Sequence, residues 1–236
     1  MTEEKNDQSP ESRPHRGFLV EVTVHAPKSA VWKALRDRET LSQWFGWDYA
    51  NLGAELEFMF FQYAAEDSDA GVLRMEPKTT VTVEEASGAG VTVVRVVQAG
   101  PIGDTDWEDV YDGEREGWRQ FLTQLRHRLE VEPAGRRRTL RLGGQAAPAE
   151  LLPALQAWLP GEAFDETPFQ RTWRPAGTDI DLVNVEAWAP VTRTEAATAH
   201  LTLTTHGLDD ERFDALVRTA ETTWKAHTAP PHSVER

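Results

Sequence analysis

The residues best able to do chemistry near neutral pH are the histidines, and their spacing argues against most of it. His15, His25, His127, His200, His206, His227 and His232 include no His-Glu-x-x-His or other compact ligand set. His15 and His232 lie in polar tails. His200 and His206 share one face of an expected strand, but six residues is too far for one ion, so they read as a surface pair. His25 ends a strand, where a turn role is the simpler reading, although a histidine at a cavity mouth could act as a base. There is no cysteine, which removes disulfides, thiolate metal sites and a thiol nucleophile. No P-loop and no Gly-x-Ser-x-Gly elbow occurs. No metal and no cofactor is therefore expected, and no residue is nominated as catalytic. Glu84-Glu85 and Asp67-Ser-Asp69 read as solvated pairs, because acid–base work needs burial to tune a carboxyl.

The aromatic residues say more. Trp44, Phe45, Trp47 and Tyr49 cluster where a short helix hands over to the next element, and Trp107, Tyr111 and Trp118 open a long helix. They serve either as plain core or as the lining of a ligand cavity, where tryptophan and tyrosine add a polar handle. The candidate ligand-binding set is Trp44, Trp47, Phe60, Trp107, Tyr111, Glu114 and Trp118. Glu114 falls on the same side of the helix as Tyr111 and Trp118, as a polar anchor or an edge residue.

Elements that would position these residues follow from periodicity. Phe18-Leu-Val-Glu-Val-Thr-Val-His25 alternates as a half-buried strand. Pro27 suits the first turn of a helix with Val31, Ala34 and Leu35 inside. Thr40-Leu-Ser-Gln43 reads as a capping box for a second helix. Leu52 to Tyr63 fits helix or strand, with helix favoured. Thr79–Glu84 and Val91–Val97 are strands joined by a Ser87-Gly-Ala-Gly90 turn. Thr105-Asp-Trp-Glu108 reads as the capping box of a long helix reaching Leu129. Gly113 and Gly117 interrupt that helix, at about 1 kcal/mol each, on a strip where a backbone could approach. Beyond it come a strand at Arg138–Leu142, a Gly143-Gly144 turn, a helix from Pro148 to about Leu159, and strands over Phe169–Arg174, Ile180–Trp188 and Ala196–Thr205. An amphipathic helix over Asp209–His227 closes the chain.

Ala26-Pro-Lys-Ser-Ala-Val-Trp-Lys-Ala-Leu35 with Leu41-Ser-Gln-Trp-Phe45, then Trp107-Glu-Asp-Val-Tyr-Asp-Gly and Glu116-Gly-Trp-Arg-Gln-Phe-Leu-Thr-Gln-Leu-Arg126, resembles the heat-shock-protein-90 ATPase activator homologues. That family lies within the START-like, birch-pollen-allergen-like SRPBCC superfamily. The resemblance covers residues 17–130. It implies a helix-grip fold, an antiparallel sheet wrapped on a long terminal helix with a cavity between, in a superfamily of ligand carriers, cyclases and hydrolases, and co-chaperones. Only a short tail precedes Phe18, so the co-chaperone's separate chaperone-binding domain is not expected.

The expected fold class is α+β. A tail spans 1–16, a helix-grip domain 17–132, a smaller α+β domain 137–228 that reads either as a degenerate repeat or as a separate domain of unrelated fold, and a second disordered tail 229–236. Net charge is −14. Up to Arg136 there are 15 basic and 25 acidic residues, and 10 and 14 after it, so neither nucleic acid nor an anionic membrane is an expected partner. Arg136-Arg137-Arg138 reads as a solvated linker. With no signal-peptide core and no run of ~20 apolar residues, the expected compartment is the cytosol. The function expected is non-enzymatic binding of a small hydrophobic or aromatic ligand. The alternative is a chaperone- or partner-binding regulator, and a third reading is a cyclase- or hydrolase-type enzyme using the same cavity.

Overall fold

A computed structural model describes residues 17–75, 78–100 and 112–236. Among these residues, two antiparallel sheets and six α-helices make up the α+β fold. Strand β1 (Phe18–Val24) alternates buried and exposed residues along its whole length, as period-2 patterning requires. Helices α1 (Lys28–Arg36) and α2 (Arg38–Ser42) follow. Helix α3 (Leu52–Glu57) runs into a π-helical turn at Phe58–Gln62, so the ambiguous stretch is helical. Strands β2 (Ala64–Asp67), β3 (Val72–Met75), β4 (Thr79–Glu85) and β5 (Thr92–Gln98) complete the first sheet, in the order β1-β5-β4-β3-β2. Helix α4 (Gly113–Val131) grips it: Trp118, Leu122 and Leu125 join the core formed by Val20, Val22, Val81 and Val94.

The second half repeats this plan. Strand β6 (Arg137–Ala146), helix α5 (Pro148–Trp158), strands β7 (Gly161–Glu166), β8 (Gln170–Pro175), β9 (Leu182–Ala187) and β10 (Ala197–His206) and helix α6 (Asp210–His227) form a sheet ordered β6-β10-β9-β8-β7. First strand, last strand, then the rest in reverse is the same order in both sheets. Here α6 supplies Phe213, Val217, Ala220 and Trp224 to a core with Leu140, Leu142, Val183 and Leu201. The layers run first sheet, α4, second sheet, α6.

Several expectations are corrected. The cap of α2 is Asp37, whose carboxylate accepts from the Thr40 amide at 2.8 Å; Thr40 is the third residue of the helix, not its cap. Asp112 caps α4 in the same way, accepting from the amides of Glu114 and Arg115. The proposed cap at Thr105 lies outside the described residues, as do Glu76, Pro77 and the tail 1–16. Gly113 is thus the first residue of the helix, and a Cβ on Gly117 would meet nothing within 4 Å, so no backbone approaches there.

Gly143-Gly144 is no turn but the middle of β6. A Cβ on Gly144 would crowd Thr228 at 3.0 Å and Trp224 Nε1 at 3.1 Å, while that indole donates to the Gly143 carbonyl at 3.0 Å. Arg137 and Arg138 belong to β6 rather than to a linker, and Arg137 is buried. Residues Ala229–Glu235, assigned to a disordered tail, form strand β11 on the outer edge of β6. Among the described residues, no helix is long and apolar enough to cross a membrane.

Candidate functional site

Aromatic side chains pack against one another inside the first grip. Trp44 and Phe60 are fully buried, Trp118 nearly so, and Phe45 joins them: its ring lies 4.9 Å from Phe60 and 5.5 Å from Trp118, edge to face. The Trp44 indole donates to the Ala34 carbonyl at 2.9 Å, so its polar handle is used within the core. Trp47 stands at the margin, 5.7 Å from Phe121, with the Arg141 guanidinium 4.0 Å from its ring. Glu114 is exposed and accepts from Gln98 Nε2 at 2.6 Å. Trp107 and Tyr111 lie outside the described residues. The structure therefore brings Trp44, Phe60 and Trp118 together and leaves Trp47 and Glu114 at the edge.

The opposite side of α4 is polar and equally buried. Glu116 accepts from Thr167 Oγ1 at 2.8 Å and Gln170 Nε2 at 2.6 Å. Arg119 holds Asp165 with two donors, one at 2.6 Å. Gln124 accepts from Arg137 at 3.0 Å, and Arg137 also donates to the carbonyls of Phe45 and Gly46 at 2.7 and 3.1 Å. Burial in this layer draws the Arg137 guanidinium down to about 10. Further along the same face of the second sheet, Arg141 pairs with Glu186 at 3.0 Å. Odd positions of β6 and even positions of β8, β9 and β10 supply this layer, because strand alternation turns them all to one side.

The histidines fall differently from their expected places. The His206 side chain is nearly buried, not on the surface, and its Nδ1 lies 3.0 Å from Asp181. His127, on α4, is buried beside it, with ring centroids 6.3 Å apart. Burial pushes His127 down to about 4, and His200 likewise, against an ordinary value of 6.5. No spacing rule could have found the His127–Asp181–His206 group, since its members come from α4, the approach to β9, and the end of β10. His25 donates its backbone N–H to Glu130 at 3.0 Å, consistent with a turn role.

Among the described residues, crevices open at the seams. One, of about 300 Å³, lies between β1, the first turns of α4 and the β7–β8 turn, lined by Leu19, Val20, Glu21, Arg115, Arg119 and Pro168 among others. The other, of about 540 Å³, is more polar and includes Asp48, Tyr49, Arg136, Arg138, Phe213 and Arg236. In it Arg138 pairs with Asp210 at 2.7 Å and Arg236 with Asp214 at 3.4 Å.

No protein-family model matches the chain, and no curated protein matches it. The resemblance to the activator homologues thus stands on its residues alone. Three solved structures are similar over most of their length. DynU16, a protein of the dynemicin biosynthetic locus, is 19% identical, over 90% of this chain and 96% of its own. The di-domain ARO/CYC proteins BexL, from the BE-7585A pathway, and StfQ, from the steffimycin pathway, are 16% and 12% identical. They cover 90% and 87% of this chain and 96% and 94% of their own. All three give a TM-score of 0.33, too low to transfer an architecture or an activity. The fold rests on the strand pairing described above.

Proposed function

We propose that the protein binds a small hydrophobic or aromatic molecule in the crevice at the open end of the first grip, between β1 and the start of α4. The observation that carries this reading is the crevice itself. Its volume of about 300 Å³ is at the lower end of ligand pockets, and it combines an apolar wall, Leu19 and Val20, with a polar rim. Leu19 is 58% exposed, a large aliphatic side chain that a ligand would shield from water. Of the residues nominated from sequence, Trp118 is the reporter nearest in sequence, flanked on α4 by Glu116 and Arg119 of the rim.

Binding is favoured over acid–base chemistry because the rim's charges are engaged. Glu116 is held by Thr167 and Gln170, Arg119 by Asp165, and Glu21 by Arg95 at 2.5 Å. A proton-transfer group would need freedom to change its charge during turnover. The partner-binding reading draws support from the ring-filled grip interior, which leaves less room for a deep ligand.

Tryptophan fluorescence titrated with fatty acids, aromatic polyketides and sterols tests the proposal, with Leu19→Arg as control. Saturable quenching that Leu19→Arg abolishes, with an unchanged far-UV circular dichroism spectrum, is the expected result. Saturable binding that Leu19→Arg leaves intact would move the site elsewhere. Silence across the whole panel would overturn small-molecule binding in favour of a protein partner.

A further inference from the structure

His127, Asp181 and His206 each offer a ligand atom, and these atoms all lie within 4.8 Å of one another. His127 Nε2 is 3.9 Å from one carboxylate oxygen of Asp181, and His206 Nδ1 is 3.0 Å from the other. The two imidazoles are almost completely buried, with 4% and 3% side-chain exposure, whereas Asp181 keeps 25%. The group therefore has a closed protein side and one carboxylate edge turned toward water.

Three buried nitrogens here have no hydrogen-bond partner: both ring nitrogens of His127, and Nε2 of His206. A buried polar atom without a partner is costly, and native structures rarely tolerate one without a water or an ion to account for it. Of the three, His127 Nε2 faces the Asp181 carboxylate at 3.9 Å, and His206 meets that carboxylate through its other nitrogen, Nδ1. The surroundings keep the ligands in place. Asp181 is anchored by its own N–H, which donates to the Thr204 carbonyl at 2.8 Å. The Phe164 ring packs edge-on at 6.2 Å from His127, and is itself covered by the guanidinium groups of Arg126 and Arg174 at 4.3 and 4.0 Å.

We infer that His127, Asp181 and His206 form a binding site for a first-row divalent transition metal of the zinc type. Two imidazoles and one carboxylate suit zinc, cobalt or nickel, and disfavour magnesium and calcium, which take oxygen ligands. Tetrahedral ligands on bonds of ~2.1 Å sit roughly 3.4 Å apart, so the three donors need to close in by about an ångström, within reach of side-chain rotation. The fourth position faces the exposed edge of Asp181 and would be filled by water. Since His127 comes from α4, Asp181 from the residue just before β9 and His206 from the end of β10, the ion would fasten the two halves of the chain together.

The test uses the full chain, stripped with chelator and titrated with Co²⁺ and then Zn²⁺ in excess Mg²⁺, which saturates loose acidic sites on this anionic protein. Expected are visible d–d bands of tetrahedral or five-coordinate cobalt at one equivalent, their loss on adding Zn²⁺, and a higher melting temperature with Zn²⁺. His127→Gln, His206→Gln and the near-isosteric Asp181→Asn should each weaken cobalt binding by at least the ~10–100-fold that losing even a supporting hydrogen bond to a ligand costs. Melting each variant without metal separates misfolding from ligand loss. No d–d bands in the folded wild-type chain would overturn the site and assign the nitrogens to a buried water. Bands that persist in folded Asp181→Asn and His206→Gln would place the ion elsewhere and overturn it equally.

Discussion

The two long faces of α4 meet the two sheets in opposite ways. Toward the first sheet it presents Trp118, Leu122 and Leu125, which interlock with valines and a ring cluster. Toward the second it presents Glu116, Thr123, Gln124 and His127, nearly all of them bound to named partners and all of them buried. The first interface is held by close packing, which tolerates rearrangement of similar volume. The second depends on individual hydrogen bonds, each of modest net value when made and costly when broken. The same helix thus takes its stability from one neighbour and its register from the other.

That contrast can be broken most forcefully on the apolar side. Trp44→Ala removes a fully buried ring from the aromatic cluster, and equilibrium urea unfolding should show a loss of about 3–5 kcal/mol. A second break should come from pH. His127 and His200 are held at about 4 in the fold, both chiefly by burial, against 6.5 unfolded. The unfolded chain therefore binds protons first as pH falls, so stability is complete above about 6.5 and is lost on the way down to 4. The slope is about 1.4 kcal/mol per pH unit for each histidine, measurable in metal-free buffer. His127→Gln should remove half of that slope; an unchanged profile would mean that the polar interface does not govern acid stability.

A double-mutant cycle on Glu116→Gln and Gln170→Ala sharpens the comparison further. A coupling of about 1–2 kcal/mol is expected, whereas values near zero would reduce the polar layer to filler. The smallest effect belongs to Leu19→Arg in the crevice. Its stability should stay within about 0.5 kcal/mol of wild type, which is what makes it a clean probe of binding.

Much of the architecture was legible because alternation and helical periodicity survive wherever one face is buried. Strands β9 and β10 alternate apolar with polar residues although both of their faces are largely buried, and strands β1, β4 and β5 and helices α5 and α6 carry that pattern. Strands β2, β7 and β11 do not: Ala64–Asp67, Gly161–Glu166 and Ala229–Glu235 sit at sheet edges, mostly exposed, so burial imprints no period on them. The helix starts were misjudged because Asp37 and Asp112 compete with the more familiar Thr-x-x-Gln and Thr-x-x-Glu signatures, and the aspartates do the capping. The aromatic cluster was visible as a cluster; whether it would line a space or fill one depends on packing that spacing does not encode. The histidine–aspartate group was not visible at all. Residues 127, 181 and 206 meet only because the second sheet folds back against α4.

Strand β11 bears on how the molecule behaves in company. Without it, the ten residues of β6 would present an open row of N–H and C=O groups, a template for another chain. Ala229–Glu235 pairs with the Arg141–Gln145 part of that row, and Pro230 and Pro231, in the irregularity between Ala229 and Ser233, have no N–H to offer a newcomer. A short, fully exposed strand that adds nothing to either core thus serves as the guard against edge-to-edge aggregation.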